Sequence, residues 1–155
     1  YLIGNGTSTY SPNELFAVVF SMDEEDVRTV MASPYTMIGT DGLFQIGNPH
    51  PRVYGSYPRI LGKYVREDKI LSLETAVRKM TSFPAQKLGL FNKGILRPGS
   101  DADIVIFDAD SVRDQGTYRH PHKYPAGIEY VLVNGQVSVA EGHFTGVTAG
   151  QVLKR

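Results

Sequence analysis

The hydrophobic pattern of this 155-residue chain changes period near residues 83–93. Before that point, apolar residues recur at helical spacing, as they do between Leu73 and Met80. After it, apolar residues form short continuous runs, which are typical of β-strands. We therefore expect two successive parts, with residues 1–85 of mixed helix and strand and residues 86–155 forming a small β domain.

The first part begins with signals for a helix followed by a strand. Ser21 and Glu24 form an S-x-x-E pair, the mark of a capping box, and apolar residues then follow at helical spacing. Pro34 predicts that this helix ends near Ser33, because the residue before a proline disfavours the helical conformation. The apolar run Tyr35–Gly39 predicts a short buried strand.

Two more helices are predicted after a proline-rich segment. Residues 45–58 contain three prolines and two glycines, which indicates a structured loop. A helix over about 58–67 follows, with Pro58 suited to its first turn. Ser72 can cap the next helix, and Pro84 is expected to end it.

The second part is dominated by strand signals. Apolar runs predict strands at 104–107, 128–133 and 136–140. The Asn134-Gly135 pair between the last two runs is a strong hairpin signal, because both residue types tolerate positive φ. Residues 108–127 form a polar connection that contains prolines.

The charge balance and the residue usage exclude several classes of protein. Sixteen Lys and Arg against sixteen Asp and Glu give no net charge, which argues against nucleic-acid binding and against a polybasic membrane surface. The absence of cysteine excludes disulfides, thiolate nucleophiles and zinc fingers. The longest apolar run, residues 15–20, is far shorter than the ~20 residues that span a bilayer. The chain starts at Tyr1 with no signal-peptide pattern, so we expect a cytoplasmic piece of a longer protein.

Asp41 is the most informative candidate for chemistry. It follows the predicted strand within Thr40-Asp41-Gly42. Barrel and doubly wound α/β folds place catalytic carboxylates at the carboxyl ends of their strands. The alternative is that the Asp-Gly pair is only a turn, and the local sequence leaves both interpretations open.

His50 and Arg52 lie in the loop that follows Asp41. A guanidinium in a loop stiffened by proline can bind a carboxylate through two hydrogen bonds, although a structural salt bridge explains Arg52 equally well. His50 would lie at the same mouth and contact a substrate. The alternative is a histidine that stabilises the loop or faces solvent.

The other histidines are weaker candidates. His120 and His122 flank Pro121, and alternate residues of a strand could share a metal ion. The surrounding prolines and the lack of apolar alternation favour a surface loop instead. His143 follows the predicted hairpin and is expected to face solvent.

Taken together, these motifs resemble the D-aminoacylase group, the N-acyl-D-amino-acid deacylases of the amidohydrolase superfamily. The resemblance covers the chain from about residue 20 to its end, and the part from Thr40 to Tyr64 distinguishes this group from other amidohydrolases. The segments that carry it are MDEEDV (22–27), MIGTDG (37–42), HPR through Gly55 (50–55), PRILG (58–62), YVR (64–66), 73–82, PA (84–85), KGILRPG (93–99), ADIVIF (102–107) and VLVNG (131–135).

The resemblance implies the C-terminal fragment of a (β/α)8 barrel followed by part of a small β-sandwich domain. It implies hydrolysis of the amide bond of an N-acyl-D-amino acid by water activated on zinc. Asp41 then corresponds to the last-strand aspartate, which contacts the metal, takes a proton from the water and returns it to the leaving amine. Arg52 would hold the substrate α-carboxylate, and His50 would also bind substrate.

The family's H-x-H pair, its metal-bridging residue and its two later histidines are missing from this sequence. A zinc site needs about four ligands, three of them normally from protein, so zinc is expected in the full-length parent and not tightly bound by this chain alone. The expected partner is the small-molecule substrate, with no nucleic acid or membrane, and with self-association through exposed barrel surface. Two alternatives stay open: a cyclic-amide hydrolase related to dihydroorotases or hydantoinases, and a non-catalytic folded module.

Overall fold

The computed structural model describes the side chains of residues 20–43 and 48–153 and the backbone of two short strands nearer the N-terminus. Among these residues, no helix is long and apolar enough to cross a membrane. The elements in chain order are β1 (Leu2–Ile3), β2 (Phe16–Ala17), α1 (Glu24–Ala32), α2 (Arg52–Arg59), a π-helix (Ile60–Glu67), α3 (Leu73–Met80), α4 (Ser82–Lys87), β3 (Ile104–Phe107), β4 (Ile128–Val133), β5 (Gln136–Ala140) and β6 (His143–Phe144).

Helix α1 ends as predicted but begins later than the sequence pattern indicated. Asp23 is its N-cap, and the Asp23 carboxylate accepts a hydrogen bond of 2.8 Å from the backbone N–H of Glu25. Ser21 therefore does not cap the helix, because Asp23 already satisfies an amide of the first turn. The C-terminal end at Ala32, with Ser33 as the C-cap, confirms the effect predicted for Pro34.

The segment 34–43 contains no strand, so the strand predicted at Tyr35–Gly39 is wrong. A strand requires a hydrogen-bonded neighbour, and the described strands β3–β6 pair only with one another. The backbone N–H of Ile38 instead donates to the carbonyl of Lys79 in α3, at 3.1 Å. Segment 34–43 is thus attached to a helix, and Asp41 does not follow a strand here.

Helix α2 begins at Arg52, inside the stretch predicted as a loop, and Pro58 lies within it. Gly55 does not mark a turn. A Cβ at this position would lie 2.8 Å from Cβ of Asp114, so glycine permits close packing of the helix on the segment that contains Asp114.

Pro58 has no N–H to donate. The helix continues beyond it with π-type bonding, as in the 2.7 Å bond from the Asp68 N–H to the Lys63 carbonyl.

Helix α3 confirms the predicted cap and corrects the predicted end. The Ser72 hydroxyl accepts from the N–H of Thr75 at 3.2 Å. The helix stops at Met80, where Thr81 leaves the helical conformation with φ −128° and ψ −87°. Pro84 lies inside α4, near its start, where the missing proline N–H has no helical partner to lose.

The second part of the chain contains the predicted strands. Strands β3, β4, β5 and β6 form an antiparallel sheet in that order. Asn134 and Gly135 connect β4 to β5 with φ of 48° and 77°, which confirms the predicted hairpin.

The main apolar core lies between α1, the π-helix and α3. Its buried residues are Ile60, Tyr64, Leu71 and Ala76, and Val27, Met31 and Ile38 are among the residues packed against them. The polar connection before β4 is joined to the π-helix, because the Arg66 guanidinium donates to the carbonyls of Ala109 and Val112 at 3.1 and 2.7 Å. These bonds and the close packing at Gly55 hold residues 109–114 against the helices.

Candidate active site

Asp41 and Arg52 are brought together although no strand orders the segment that carries Asp41. Nη2 of Arg52 lies 2.9 Å from Oδ2 of Asp41. The Asp41 side chain is 80% exposed and that of Arg52 is 39% exposed, so both groups are accessible to a small molecule. The backbone of Asp41 has φ 47°, in the left-handed region that Asp tolerates better than most residues.

His50 orients the helix that carries Arg52. Its Nδ1 accepts a hydrogen bond of 3.0 Å from the backbone N–H of Arg52, which satisfies the first amide of α2. Partial burial lowers the pKa of His50 below its ordinary value, and the Arg52 charge lowers it further, while Asp41 opposes both effects. The neutral imidazole is the form that can accept this bond, through which His50 stabilises the start of α2.

Ring contacts and a hydrogen bond connect His50 and Tyr54 to residues 118–124. The ring of His50 meets the ring of Tyr118 edge to face at 5.2 Å. The Tyr54 hydroxyl lies 3.0 Å from Nδ1 of His122, and the Tyr54 ring meets that of Tyr124 at 5.7 Å. Sequence reasoning gave no role to Tyr54 or Tyr118, because the partners of both residues are distant in the chain.

His120 and His122 lie in irregular structure and are exposed, as predicted for a surface loop. They line an open cleft of about 520 Å³ together with Asn48, Arg119 and Lys123. His143 is also exposed, as predicted. Within residues 20–43 and 48–153, no group of three or more His, Asp or Glu side chains could hold a metal ion.

The residues described here do not fit a zinc ion. Asp41 offers one carboxylate, and that carboxylate is already paired with a guanidinium. A zinc site normally takes at least three ligands from protein, so the further ligands would have to come from outside the described residues. The described residues alone therefore do not form a metal centre.

The arrangement still supports two chemical roles. The exposed carboxylate of Asp41 can accept a proton from water. The Arg52 side chain is 39% exposed and its guanidinium carries five N–H donors in a planar fork, so it can bind more than one oxygen. A cationic donor with spare N–H groups is suited to binding a carboxylate.

Comparison with known proteins gives one consistent result. The sequence profile of the amidohydrolase family matches residues 15–139. A D-aminoacylase of Alcaligenes xylosoxydans xylosoxydans is 48% identical over 139 residues, which are 90% of this chain and 29% of that protein. The crystal structure of N-acyl-D-glutamate deacylase from Bordetella bronchiseptica, complexed with zinc and a phosphonate inhibitor, superposes with a TM-score of 0.74 at 46% identity. That match covers 76% of this chain and 25% of the other.

A shorter match links the chain to a dihydroorotase of Lactobacillus gasseri. It is 38% identical over 55 residues, which are 36% of this chain and 13% of that protein. The chain therefore spans less than a third of the length of each of these relatives.

Proposed function

Because the chain belongs to the amidohydrolase family, we propose that it is the C-terminal part of an enzyme that hydrolyses the amide bond of N-acyl-D-amino acids. The pairing of Asp41 with Arg52 on one accessible surface is the observation that carries this proposal. It supplies a proton acceptor next to a group that binds carboxylates, and the proposed substrate has both a scissile amide and an α-carboxylate.

In this proposal, water adds to the amide carbonyl carbon and Asp41 accepts a proton from that water. The same proton then goes to the nitrogen of the leaving amine as the C–N bond breaks. Arg52 binds the substrate α-carboxylate with charge-assisted hydrogen bonds, which fixes the amide relative to Asp41. His50 contributes to substrate binding by orienting Arg52 through the first amide of α2.

The remaining parts of the enzyme belong to the same proposal. Residues 1–85 contribute the last units of a (β/α)8 barrel in the longer enzyme, although residues 35–39 form no strand among the described residues, and residues 86–155 contribute to a small β-sandwich domain. Zinc is bound by the longer enzyme, with Asp41 as one ligand and the others supplied from outside the residues described here. We further propose a cytoplasmic location.

The test uses the longer enzyme and compares N-acetyl-D-amino acids, their L-enantiomers and dihydroorotate as substrates. Hydrolysis of the D-enantiomers alone supports the proposal. Hydrolysis of dihydroorotate alone would favour the cyclic-amide alternative. The dihydroorotase relative that represents this alternative matches only 55 residues of the chain. Turnover of none of these compounds would favour a non-catalytic module.

Two variants test the residue roles in the same assay. Asp41→Asn keeps the size of the side chain but removes the proton acceptor, so kcat should fall by about 10²–10⁴-fold.

Arg52→Ala removes a contact that is made equally to the substrate and to the transition state and is worth about 1.5–3 kcal/mol. It should therefore raise KM and change kcat little. Arg119→Ala, at an exposed residue of the open cleft, is the matched control. An Asp41→Asn enzyme that retained most of its kcat would contradict the assignment.

A further inference from the structure

Lys79 is a buried cation outside the site described above. It lies in α3 with only 1% of its surface exposed. Its ammonium donates to the carbonyl oxygen of Ser33, and to the carbonyl and hydroxyl oxygens of Thr36 at 2.8 and 3.1 Å. Within the described part of the chain it forms no ion pair with a carboxylate, so its partners are two backbone carbonyls and one hydroxyl.

Burying an ammonium without a carboxylate partner costs desolvation free energy, which an apolar side chain at this position would not. Burial lowers the pKa of Lys79, and the charge of the neighbouring Arg78 lowers it further. Methionine has a similar length and would pack here without a charge to desolvate. The hydrogen bonds of the ammonium are therefore the distinctive contribution of this side chain.

All three acceptors of Lys79 lie in the segment that leads to Asp41. The backbone of Lys79 adds a fourth contact, since its carbonyl accepts from the N–H of Ile38. Ile38 packs against the apolar core, and Asp41 follows three residues later. No helix or strand covers residues 34–43, so these contacts take the place of a regular element.

We propose that Lys79 is a positioning residue: it holds residues 33–38 against α3 and thereby places the Asp41 carboxylate for proton transfer. The proposal rests on the proposed function, because only a reaction at Asp41 gives that placement a catalytic consequence. Lys79 contacts neither Asp41 nor Arg52, so it acts through the backbone of this segment. Its loss should lower kcat more than it changes KM, since Arg52 is carried by a different element.

The test compares Lys79→Met and Lys79→Arg in the longer enzyme, with Lys87→Met at an exposed position of α4 as the matched control. A displacement of about 1 Å can reduce turnover 10²-fold, so Lys79→Met should lower kcat by about ten- to a hundredfold with KM changed less than about twofold. Lys79→Arg keeps a buried cationic donor and should restore part of kcat. Thr36→Val removes one of the three acceptors, so it should lower kcat less than Lys79→Met does. Thr36→Ser keeps the hydroxyl acceptor, so it should leave kcat unchanged.

Hydrogen–deuterium exchange on the same variants separates this inference from the proposed function. Residues 33–41 should exchange at least about tenfold faster in Lys79→Met, and not in Lys87→Met. If the wild-type enzyme hydrolyses no N-acyl-D-amino acid, the proposed function fails, and faster exchange would still support the anchoring of this segment by Lys79. Unchanged exchange overturns that anchoring. Wild-type kcat in Lys79→Met, with deacylase activity present, overturns the catalytic role alone.

Discussion

The ion pair between Asp41 and Arg52 joins the two side chains that the proposed reaction uses, and His50 lies beside them. The His50 imidazole senses both charges, because Arg52 lowers its pKa and Asp41 raises it. Desolvation is the largest of the three effects and also lowers the pKa. The pKa of His50 is therefore a direct readout of the geometry of this site.

Two substitutions should move the pKa of His50 in opposite directions. Asp41→Asn removes a negative charge, so the pKa should fall further below 6.5, the ordinary value for histidine. Arg52→Gln removes a positive charge, so the pKa should rise toward that value. Histidine ring resonances followed by NMR as a function of pH measure both shifts, with Arg119→Gln as the control. Shifts of the same sign in both variants would contradict the observed arrangement.

The depressed pKa of His50 also predicts how stability responds to acid. The unfolded chain binds a proton at His50 near pH 6.5, whereas the folded chain binds it only at lower pH. The stability that neutral His50 provides is therefore complete above pH 6.5 and is lost as the pH falls through the folded value. Protonation of Nδ1 also removes the acceptor for the Arg52 N–H.

At the level of elements, short-range signals correctly predicted the end of α1 and the hairpin, but not the residue that caps α1. The S-x-x-E pair pointed to Ser21, but the carboxylate of Asp23 makes the capping bond. Both residues are polar N-cap types, and only the backbone conformation decides between them: Asp23 has φ −80° and ψ 138°, directly before the first helical residue.

Alanine substitution should separate these two caps. Asp23→Ala should lower the free energy of unfolding by about 0.5–2 kcal/mol, because the Glu25 N–H loses its acceptor and the helix dipole loses a favourable charge. Ser21→Ala should change it by less than about 0.5 kcal/mol, as is usual for surface positions. Chemical denaturation of the 155-residue chain measures both values. A larger decrease in the free energy of unfolding for Ser21→Ala than for Asp23→Ala would instead support the capping box that the sequence predicted.

At the scale of the whole molecule, residues 20–43 expose an unusual amount of apolar surface. Met22, Val30, Tyr35 and Leu43 are 77%, 58%, 87% and 66% exposed. Exposed apolar surface concentrated in one part of a soluble chain commonly marks a surface that is covered in the assembled protein. In the proposed enzyme, we expect the rest of the longer protein to cover this surface.

The isolated chain should therefore self-associate through this segment. Sedimentation velocity should show a mass that rises with protein concentration, because apolar surface is removed from water when copies associate. The double variant Tyr35→Lys, Leu43→Lys should shift the equilibrium toward monomer. Val152→Lys, at a residue that is also 87% exposed but lies near the C-terminus, should not. A monomeric wild-type chain over the whole concentration range would rule this expectation out.

The sequence by itself determined the features that depend on near neighbours. The end of α1 before Pro34, the Ser72 cap and the Asn134-Gly135 turn follow from steric and hydrogen-bonding limits within a few residues. The motifs around Asp41 and Arg52 also sufficed to indicate the family that the comparisons show. Their catalytic and binding roles stay predictions.

Only the tertiary structure decided the features that depend on distant partners. The segment 34–43 is not a strand, because no described strand lies beside it and Lys79, 43 to 46 residues away from Thr36 and Ser33, supplies its hydrogen bonds. Residues 52–59 are helical where a loop was predicted, and Gly55 permits Asp114 to pack against that helix. Such contacts join residues far apart in the chain, so no local pattern encodes them, and they appear only when the chain is packed.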